Sequence, residues 1–225
     1  MFQGFSDATV DFMWGIRFNN QRSWFEAHKE EYKTTFYQPM KELMGEVYDY
    51  LNQKYPQQGF VCKVSRIYRD ARRLFGRGPY KDHLWFTVFK PTEDESFAPV
   101  FWFELGPEEA SWGLGCYCAR PMTMAKLRAR LDANPKPVEH LMTLLAQRPD
   151  FVLEGSEYKR PKSAAPSPLV APWYLKKDFS FCHTESISSA LYSHTLVDRM
   201  TADFEFLMPF YEYFSTLDGD PEPRL

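Results

Sequence analysis

Cysteine is scarce in this chain, with 4 among 225 residues: Cys62, Cys116, Cys118 and Cys182. None of them forms a Cys-x-x-Cys pair, which argues against a disulfide framework and against a dithiol redox centre. We expect reduced thiols, mostly in the core. The 5 histidines likewise lack the His-x-x-x-His spacing of many metal sites. We therefore predict no metal and no cofactor.

Long hydrophobic runs are missing as well. No stretch approaches the roughly 18 consecutive apolar residues of a membrane-spanning helix. The first residues, MFQGFSDATVDF, lack the basic start and the apolar run of a signal peptide. We therefore expect a cytoplasmic protein with no membrane partner. The chain also contains no Walker A motif and no Gly-x-Ser-x-Gly elbow, so no nucleotide loop or nucleophile is recognisable from motifs.

The chain also lacks a large excess of charge of either sign. The chain has 27 basic and 30 acidic residues, a net charge of -3, so no overall field directs it toward nucleic acid. Hydrophobic residues make up 44% and aromatic residues 17%, which is enough for one sizeable core. We expect a single domain spanning residues 1–225, in which any attraction to anions is local.

The N-terminal segment, residues 7–55, is predicted to be helical. In SWFEAHK, Ser23 and Glu26 have the spacing of a capping box and predict that a helix begins at Ser23. A second, longer helix is predicted from Pro39, with Met40, Leu43, Val47 and Leu51 forming its apolar stripe. Pro56 should end it.

Strand patterns occupy residues 60–118. The runs VCKVSRIYR, HLWFTVFK, APVFWFEL and SWGLGCYC are rich in β-branched and aromatic residues. Their short connections leave no room for crossover helices and favour antiparallel neighbours. The predicted fold class is therefore α+β. We expect a central, mainly antiparallel sheet of about four or more strands, with helices from the N-terminal, middle and C-terminal segments packed on it.

Residues 121–182 are predicted to hold two short helices and a long loop. The helices begin at Pro121 and Pro137, and the loop is the proline-rich segment 155–178, which we expect to lack regular structure. A C-terminal helix is predicted over residues 184–214, with Thr184 as its N-cap.

The strongest functional signal is the segment 65–83, SRIYRDARRLFGRGPYKDH. Before its closing Asp82 and His83, it contains one acid, Asp70, and six basic residues: Arg66, Arg69, Arg72, Arg73, Arg77 and Lys81. Guanidinium groups suit bidentate contacts with phosphate or carboxylate, and the glycines of GRG allow backbone amides to approach a ligand. Asp70 is expected to stay ionised and to position a guanidinium. Tyr80 either donates a hydrogen bond to the anion or packs.

Motifs along the chain resemble domain-of-unknown-function family 2461. The core of the resemblance is Arg-x-x-Arg-Asp-x-Arg followed by Pro-Tyr-Lys, here Arg66, Arg69, Asp70, Arg72, Pro79, Tyr80 and Lys81. It extends to Gly4 and Phe5, NNQRSWFEAHK at 19–29, Pro39 and Met40, and YKRPK at 158–162. Arg73, Gly76 and Arg77 depart from the family pattern, which has phenylalanine at the first position, an acid or amide at the second and lysine at the third. The resemblance implies that Lys159 and Arg160 join the arginine segment on one surface.

These observations favour a protein that binds a small anionic ligand, phosphorylated or carboxylated, and leave open whether it is an enzyme. The predicted anion-binding residues are Arg66, Arg69, Arg72, Arg77, Tyr80, Lys81, Lys159 and Arg160. One alternative is a nucleic-acid or protein interaction module, which the net charge of -3 makes less favourable. The other is a structural salt-bridge network, with acids such as Glu104 or Asp203 as partners.

Overall fold

The computed structural model describes residues 1–74, 76–94, 98–117 and 119–223. Its strands form one six-stranded antiparallel sheet in the order β1-β2-β3-β4-β6-β5. The strands are β1 (Val61–Val64), β2 (Leu84–Phe89), β3 (Val100–Leu105), β4 (Glu109–Cys116), β5 (Val152–Glu154) and β6 (Phe179–Ser186). The α+β class and the antiparallel sheet are thus confirmed, and β5 and β6 extend the sheet beyond the four predicted strands.

Helices come from the N-terminal, middle and C-terminal segments, as predicted. They are α1 (Asp7–Phe18), α2 (Arg22–Ala27), α3 (Lys29–Glu31), α4 (Gln38–Lys54), α5 (Pro121–Ala133), α6 (Lys136–Leu145) and α7 (Thr195–Phe214). The predicted apolar stripe of α4 is fully buried. Helices α5 and α6 also bury apolar residues: Met124, Leu127, Leu131, Val138, Leu141 and Leu145. None of the described helices combines the length and the apolar character that a membrane span requires.

The chain divides into two compact units by its internal contacts. Unit 1 contains Met1–Val88, Trp102–Trp112 and Thr184–Asp203. Unit 2 contains Phe89–Phe101, Gly113–His183 and Phe204–Leu225. The single domain over residues 1–225 remains a prediction.

Each unit has an aromatic core. In unit 1, the ring of Phe12 on α1 lies 5.7 Å from the ring of Trp24 and 5.6 Å from that of Tyr32, measured between centroids. In unit 2, the ring of Phe214 on α7 lies 5.1 Å from Trp173 and 4.6 Å from Phe179. Large rings bury much apolar area per residue, so these clusters account for the high aromatic content.

The predicted cap at Ser23 is wrong. Helix α2 begins at Arg22 after Gln21, so Ser23 lies inside the helix and makes no capping hydrogen bond. Trp24 and His28, four residues apart along the helical segment, share one face, and their rings stack with centroids 3.9 Å apart.

A π-helix, Tyr32–Tyr37, joins α3 to α4, so Pro39 continues a helical segment instead of starting one. Proline has no N–H, and the carbonyl four residues earlier, that of Thr35, therefore lacks its usual helical donor. The Thr9 hydroxyl of α1 donates to this carbonyl at 2.6 Å. Helix α1 thus stabilises the irregular turn.

Removing the Thr9 hydroxyl should expose this dependence. We expect Thr9→Val to lower the free energy of unfolding by about 1 to 2 kcal/mol, because the Thr35 carbonyl loses its donor. In a Pro39→Ala background, residue 39 has an N–H of its own, and the loss should be smaller. Urea unfolding of the four proteins in this double-mutant cycle measures the difference. Equal losses in both backgrounds would contradict the role assigned to Pro39.

The predicted start of the last helix at Thr184 is wrong. Thr184 belongs to strand β6, and α7 begins at Thr195 after a 3₁₀ turn at Ser189–Leu191. The reason lies in β4, where a Cβ on Gly113 would stand 1.8 Å from the carbonyl oxygen of Phe181. Only glycine permits this close approach of the β6 backbone, so a long-range contact determined the strand.

The segment 155–178 also contains more structure than predicted. A 3₁₀ helix, Pro168–Tyr174, buries Val170, Trp173 and Tyr174. The ends of the segment pair with each other, since the amide of Tyr158 donates to the Leu175 carbonyl at 2.7 Å. The apolar residues between the prolines thus make this segment part of the unit 2 core.

Of the predicted thiols, Cys62, Cys116 and Cys182 belong to no disulfide, and the last two are buried. Cys118 lies outside the described residues.

Candidate functional site

The basic segment folds back on itself as a hairpin in unit 1. The amide of Arg69 donates to the Pro79 carbonyl at 2.8 Å, and the amide of Lys81 donates to the Ile67 carbonyl at 2.7 Å. Tyr68 and Tyr80 form an antiparallel bridge between these two bonds. The hairpin therefore places residues from both ends of the segment side by side.

Gly76 occupies the loop of this hairpin with a φ of 79°. This left-handed conformation suits glycine, and asparagine and aspartate tolerate it better than other residues. The family pattern implied by the resemblance has an acid or amide here. We interpret the departure at Gly76 as a substitution that keeps the conformation of the turn.

Asn20 anchors the hairpin to the N-terminal helices. Its Oδ1 accepts from the Tyr80 amide at 3.0 Å, and its Nδ2 donates to the Tyr80 carbonyl at 2.9 Å. A Cβ on Gly78 would stand 2.2 Å from Oδ1 of Asn20, so the small residue makes room for this contact. Residues 20, 78 and 80, distant in sequence, thus form one anchoring contact.

Tyr80 itself is packed. Its ring stacks on Phe25 with centroids 4.3 Å apart and is almost fully buried. Burial is the main reason that the pKa of its hydroxyl is raised. The contacts support the packing alternative for Tyr80, and a hydrogen bond to an anion stays a prediction.

Arg72 is engaged by Asp70 at the surface. The guanidinium donates from Nε to Oδ1 at 3.1 Å and from a terminal nitrogen to Oδ2 at 2.8 Å. Asp70 also accepts from the Arg72 amide at 3.0 Å and so caps the short 3₁₀ turn Ala71–Arg73. The Arg72 side chain is 87% exposed. Asp70 therefore positions a guanidinium, and that guanidinium belongs to a solvent-exposed side chain.

Lys81 is the most unusual cation of the segment. The residue is 8% exposed, and its Nζ lies 3.9 Å from the ring centroid of Trp85. Its ammonium makes no hydrogen bond and no ion pair with any of the described residues. Burial is the main reason that the pKa of Lys81 falls from 10.5 to about 8, and the charges of Arg69 and Arg66 lower it further.

Arg69 lies beside Lys81 and is only partly compensated. Its Nε donates to the Tyr80 carbonyl at 2.8 Å, and a terminal nitrogen lies 3.7 Å from Oδ1 of Asp82. Burial lowers the pKa of Arg69, the Asp82 carboxylate opposes this effect, and the charge of Arg77 adds to it. The terminal nitrogens of Arg69 make no hydrogen bond within the described part of the chain.

Asp82 joins the end of the basic segment to α1 in unit 1. Its Oδ2 accepts from Nε of Arg17 on α1 at 2.5 Å, and its Oδ1 accepts from Nδ1 of His83 at 2.9 Å. The hydrogen bond from His83 is the largest cause that holds the pKa of Asp82 far below its ordinary value. Arg17 also contacts Glu108 at 3.1 Å. Asp82 is therefore an ionised anchor and not a base.

Glu104 on β3 is the acid that interacts with Lys81 electrostatically. Burial raises the pKa of Glu104, while the charges of His83 and Lys81 act against this rise. The pKa of this carboxyl is thus raised while the pKa of the Lys81 amine is lowered. The site thus combines several cations with a buried carboxyl on β3.

The remaining predicted residues differ in environment. Arg66 and Arg77 are exposed, and their guanidinium groups make no ion pair with described residues. Lys159 and Arg160 are exposed residues of unit 2, and their place on a shared surface stays a prediction. We call Arg66, Arg69, Arg77 and Lys81 the central cation cluster.

Four residues of the site were not predicted: Arg17, His83, Trp85 and Asp82 as an anchor. Asp82 and His83 directly follow Pro-Tyr-Lys, so their position in the segment was the available signal. Arg17 lies 65 residues from its partner Asp82, and no spacing pattern indicates such a contact. Of the two proposed acidic partners, Glu104 interacts with Lys81, whereas Asp203 accepts from Nε1 of Trp112 at 2.8 Å.

Comparison with known proteins identifies one family. Residues 8–213 match the family described as conserved hypothetical protein (DUF2461), which confirms the resemblance seen in the sequence. No curated protein is similar enough to the chain to count as a relative. Within the described ranges, no group of three or more histidine, cysteine, aspartate or glutamate residues is placed to hold a metal ion.

Proposed function

Because the chain belongs to the DUF2461 family, whose description assigns no reaction, we propose a function from the site itself: the central cation cluster binds a small anionic ligand, phosphorylated or carboxylated. The observation that carries this proposal is Lys81, a residue that is 8% exposed and whose ammonium has no ion-pair partner among the described residues. Burying an unpaired charge costs roughly several kcal/mol unless an opposite charge binds beside it. A bound anion supplies that counter-charge.

Arg69 supports the proposal through its geometry. Its Nε is held by the Tyr80 carbonyl, which orients the guanidinium without occupying the terminal nitrogens. An oriented guanidinium whose terminal nitrogens make no hydrogen bond with the described residues is suited to bidentate contact with a carboxylate or phosphate. Arg66 and Arg77 add positive charge nearby, since they lower the pKa values of Lys81 and Arg69 respectively.

The structural-network alternative accounts for part of the segment only. Arg17 and Asp82 form a close pair, and Arg72 is neutralised by Asp70. Among the described residues, Glu104 acts on the ammonium of Lys81 electrostatically, but no ion pair or hydrogen bond joins this ammonium to the network. An anion from outside the chain is the simplest partner for this group.

Arg69→Met and Arg72→Met provide a matched test, since each removes one guanidinium from the same segment. We expect inorganic phosphate, or one member of a panel of small phosphorylated and carboxylated compounds, to raise the thermal unfolding temperature of the protein. Arg69→Met should weaken this ligand at least tenfold, because charge-assisted hydrogen bonds contribute about 1.5 to 3 kcal/mol. Arg72→Met should bind as the unmodified protein does.

Equal weakening in both variants would contradict the proposal, as would a panel without any stabilising anion. Circular dichroism of each variant checks that the fold is retained. If duplex DNA binds instead, with an affinity that falls steeply with salt concentration, the interaction-module alternative is supported in its place.

A further inference from the structure

A cleft of about 310 Å³ opens in unit 1 and includes Arg66 of the central cation cluster in its lining. Four aromatic residues, Phe25, Tyr32, Tyr37 and Tyr68, are among its other lining residues. This volume lies at the lower end of the range for small-molecule pockets, about 300 to 1,000 Å³. We call it the aromatic cleft.

The backbone that builds one wall of the aromatic cleft is the π-helix Tyr32–Tyr37. In an α-helix, with about 3.6 residues per turn, residues five apart point to different faces. The wider π turn brings them nearer to one face, and the rings of Tyr32 and Tyr37 lie with centroids 5.7 Å apart. Such π turns are found frequently at functional sites. Here the turn places two rings along the same recess.

Tyr68 contributes an aromatic surface that is open to solvent. The residue is 48% exposed, although its ring contacts Phe25 at 5.8 Å and Tyr80 at 5.3 Å, measured between centroids. A large aromatic side chain held by neighbouring rings and left half exposed is a stacking platform for a planar group.

The aromatic cleft is also positively charged. Lys29 and Lys33 line it together with Arg66. The two lysines form pairs on the exposed face of their helical segment, with Glu26 at 3.3 Å and with Glu30 at 2.6 Å. Such solvated pairs are weak, so both ammonium groups remain available to a ligand. Arg66 has no carboxylate partner in the described ranges.

We propose that the aromatic cleft binds a planar ring joined to the anionic group that the central cation cluster holds, so that the ligand class is a phosphorylated or carboxylated aromatic or heteroaromatic compound. This inference rests on the proposed function and specifies its ligand. Aromatic walls favour a ring by stacking, and Arg66, shared by the aromatic cleft and the cluster, links the ring site to the anion site.

Three probes separate the contributions of ring and anion: adenosine 5′-monophosphate, ribose 5-phosphate, which lacks the ring, and adenosine, which lacks the anion. Titration calorimetry should show that adenosine 5′-monophosphate binds at least tenfold more tightly than ribose 5-phosphate. In Tyr68→Leu this advantage should disappear, whereas ribose 5-phosphate should bind as before. Tyr117→Leu, which alters a comparably exposed tyrosine in unit 2 (54%), should change neither affinity.

The outcomes distinguish the two proposals. If both phosphates bind equally in the unmodified protein, the ring inference is overturned and the anion proposal stands. If adenosine alone binds, the anion proposal is overturned, and the ring inference falls with it. Absence of binding by adenosine 5′-monophosphate overturns the ring inference in any case. Should Tyr68→Leu fail to fold, Tyr37→Leu removes another wall of the aromatic cleft and carries the same expectation.

Discussion

Replacing Lys81 with methionine is expected to stabilise the folded protein at pH 7 and to abolish anion binding. Methionine has a similar length and no charge, so it relieves the burial of an ammonium that lacks an ion-pair partner among the described residues. A pKa of about 8 instead of 10.5 makes the charged form roughly 3 kcal/mol less stable in the folded protein than in the unfolded chain. The lost cation–π contact with Trp85 offsets part of this gain, so we expect a net increase of about 1 to 3 kcal/mol.

The pH dependence of the free energy of unfolding tests whether Lys81 is the group responsible. Since the folded-state pKa of Lys81 is lowered to about 8, the unfolded chain binds the proton between about pH 8 and pH 10.5 while the folded protein does not. The contribution of Lys81 to the free energy of unfolding therefore rises with pH in this window and is least favourable below it. The advantage of Lys81→Met should be largest below pH 8 and should vanish near pH 10.5.

Urea unfolding at pH 7, 9 and 10.5 measures this difference. Lys63→Met, at an exposed position on β1, is the control and should change stability little at any pH. A Lys81→Met protein that is less stable than the unmodified one at pH 7 would show that the lysine supports the fold. Anion affinity of the unmodified protein should also fall as pH rises above about 8, because Lys81 loses its proton.

Asp82→Asn is expected to have the opposite effect on stability, with a loss of about 2 to 4 kcal/mol at pH 7. The Asp82 side chain is 14% exposed and is contacted by Arg17, Arg69 and His83. An amide of the same shape removes the negative charge. The repulsion between the guanidinium groups of Arg17 and Arg69 is then no longer compensated. Asp70→Asn is the matched control, since Asp70 pairs with the exposed Arg72, and it should change stability little.

Acid titration gives the sign of this contribution. The pKa of Asp82 is held far below its ordinary value of 3.8, so the stability that it contributes is fully present above about pH 4 and is lost as pH falls toward the folded-state pKa. Urea unfolding between pH 5 and pH 2 should show the unmodified protein losing its advantage over Asp82→Asn. A difference that stays constant with pH would contradict the assignment of Asp82 as an ionised anchor.

Periodicity within single elements was sufficient for much of the fold. The stripe Met40, Leu43, Val47 and Leu51 is buried as predicted, because a helix repeats its buried face at fixed intervals regardless of its partners. Helix starts were misplaced at Ser23, Pro39 and Thr184. The boundary at Thr184 depends on Gly113 of β4, whose missing side chain lets β6 approach, and no local pattern around Thr184 reports that contact.

The candidate site, like the fold, was predicted from the sequence only in part. Residue type and spacing identified the segment 65–83 and its excess of guanidinium groups, since these are properties of neighbouring residues. They did not distinguish Arg72, which Asp70 holds at the surface, from Lys81, which is buried against Trp85. That difference depends on the hairpin and on which side chains surround each cation.

The sequence by itself determined the helical stripes, the antiparallel strands, the family and the segment that carries positive charge, because each is encoded in residues close together along the chain. Tertiary structure alone decided that Asp82 joins Arg17 to His83, that a π turn brings Tyr32 beside Tyr37, and that the ammonium of Lys81 is buried. The physical reason is that burial and charge compensation depend on groups far apart in sequence, which only folding brings into contact.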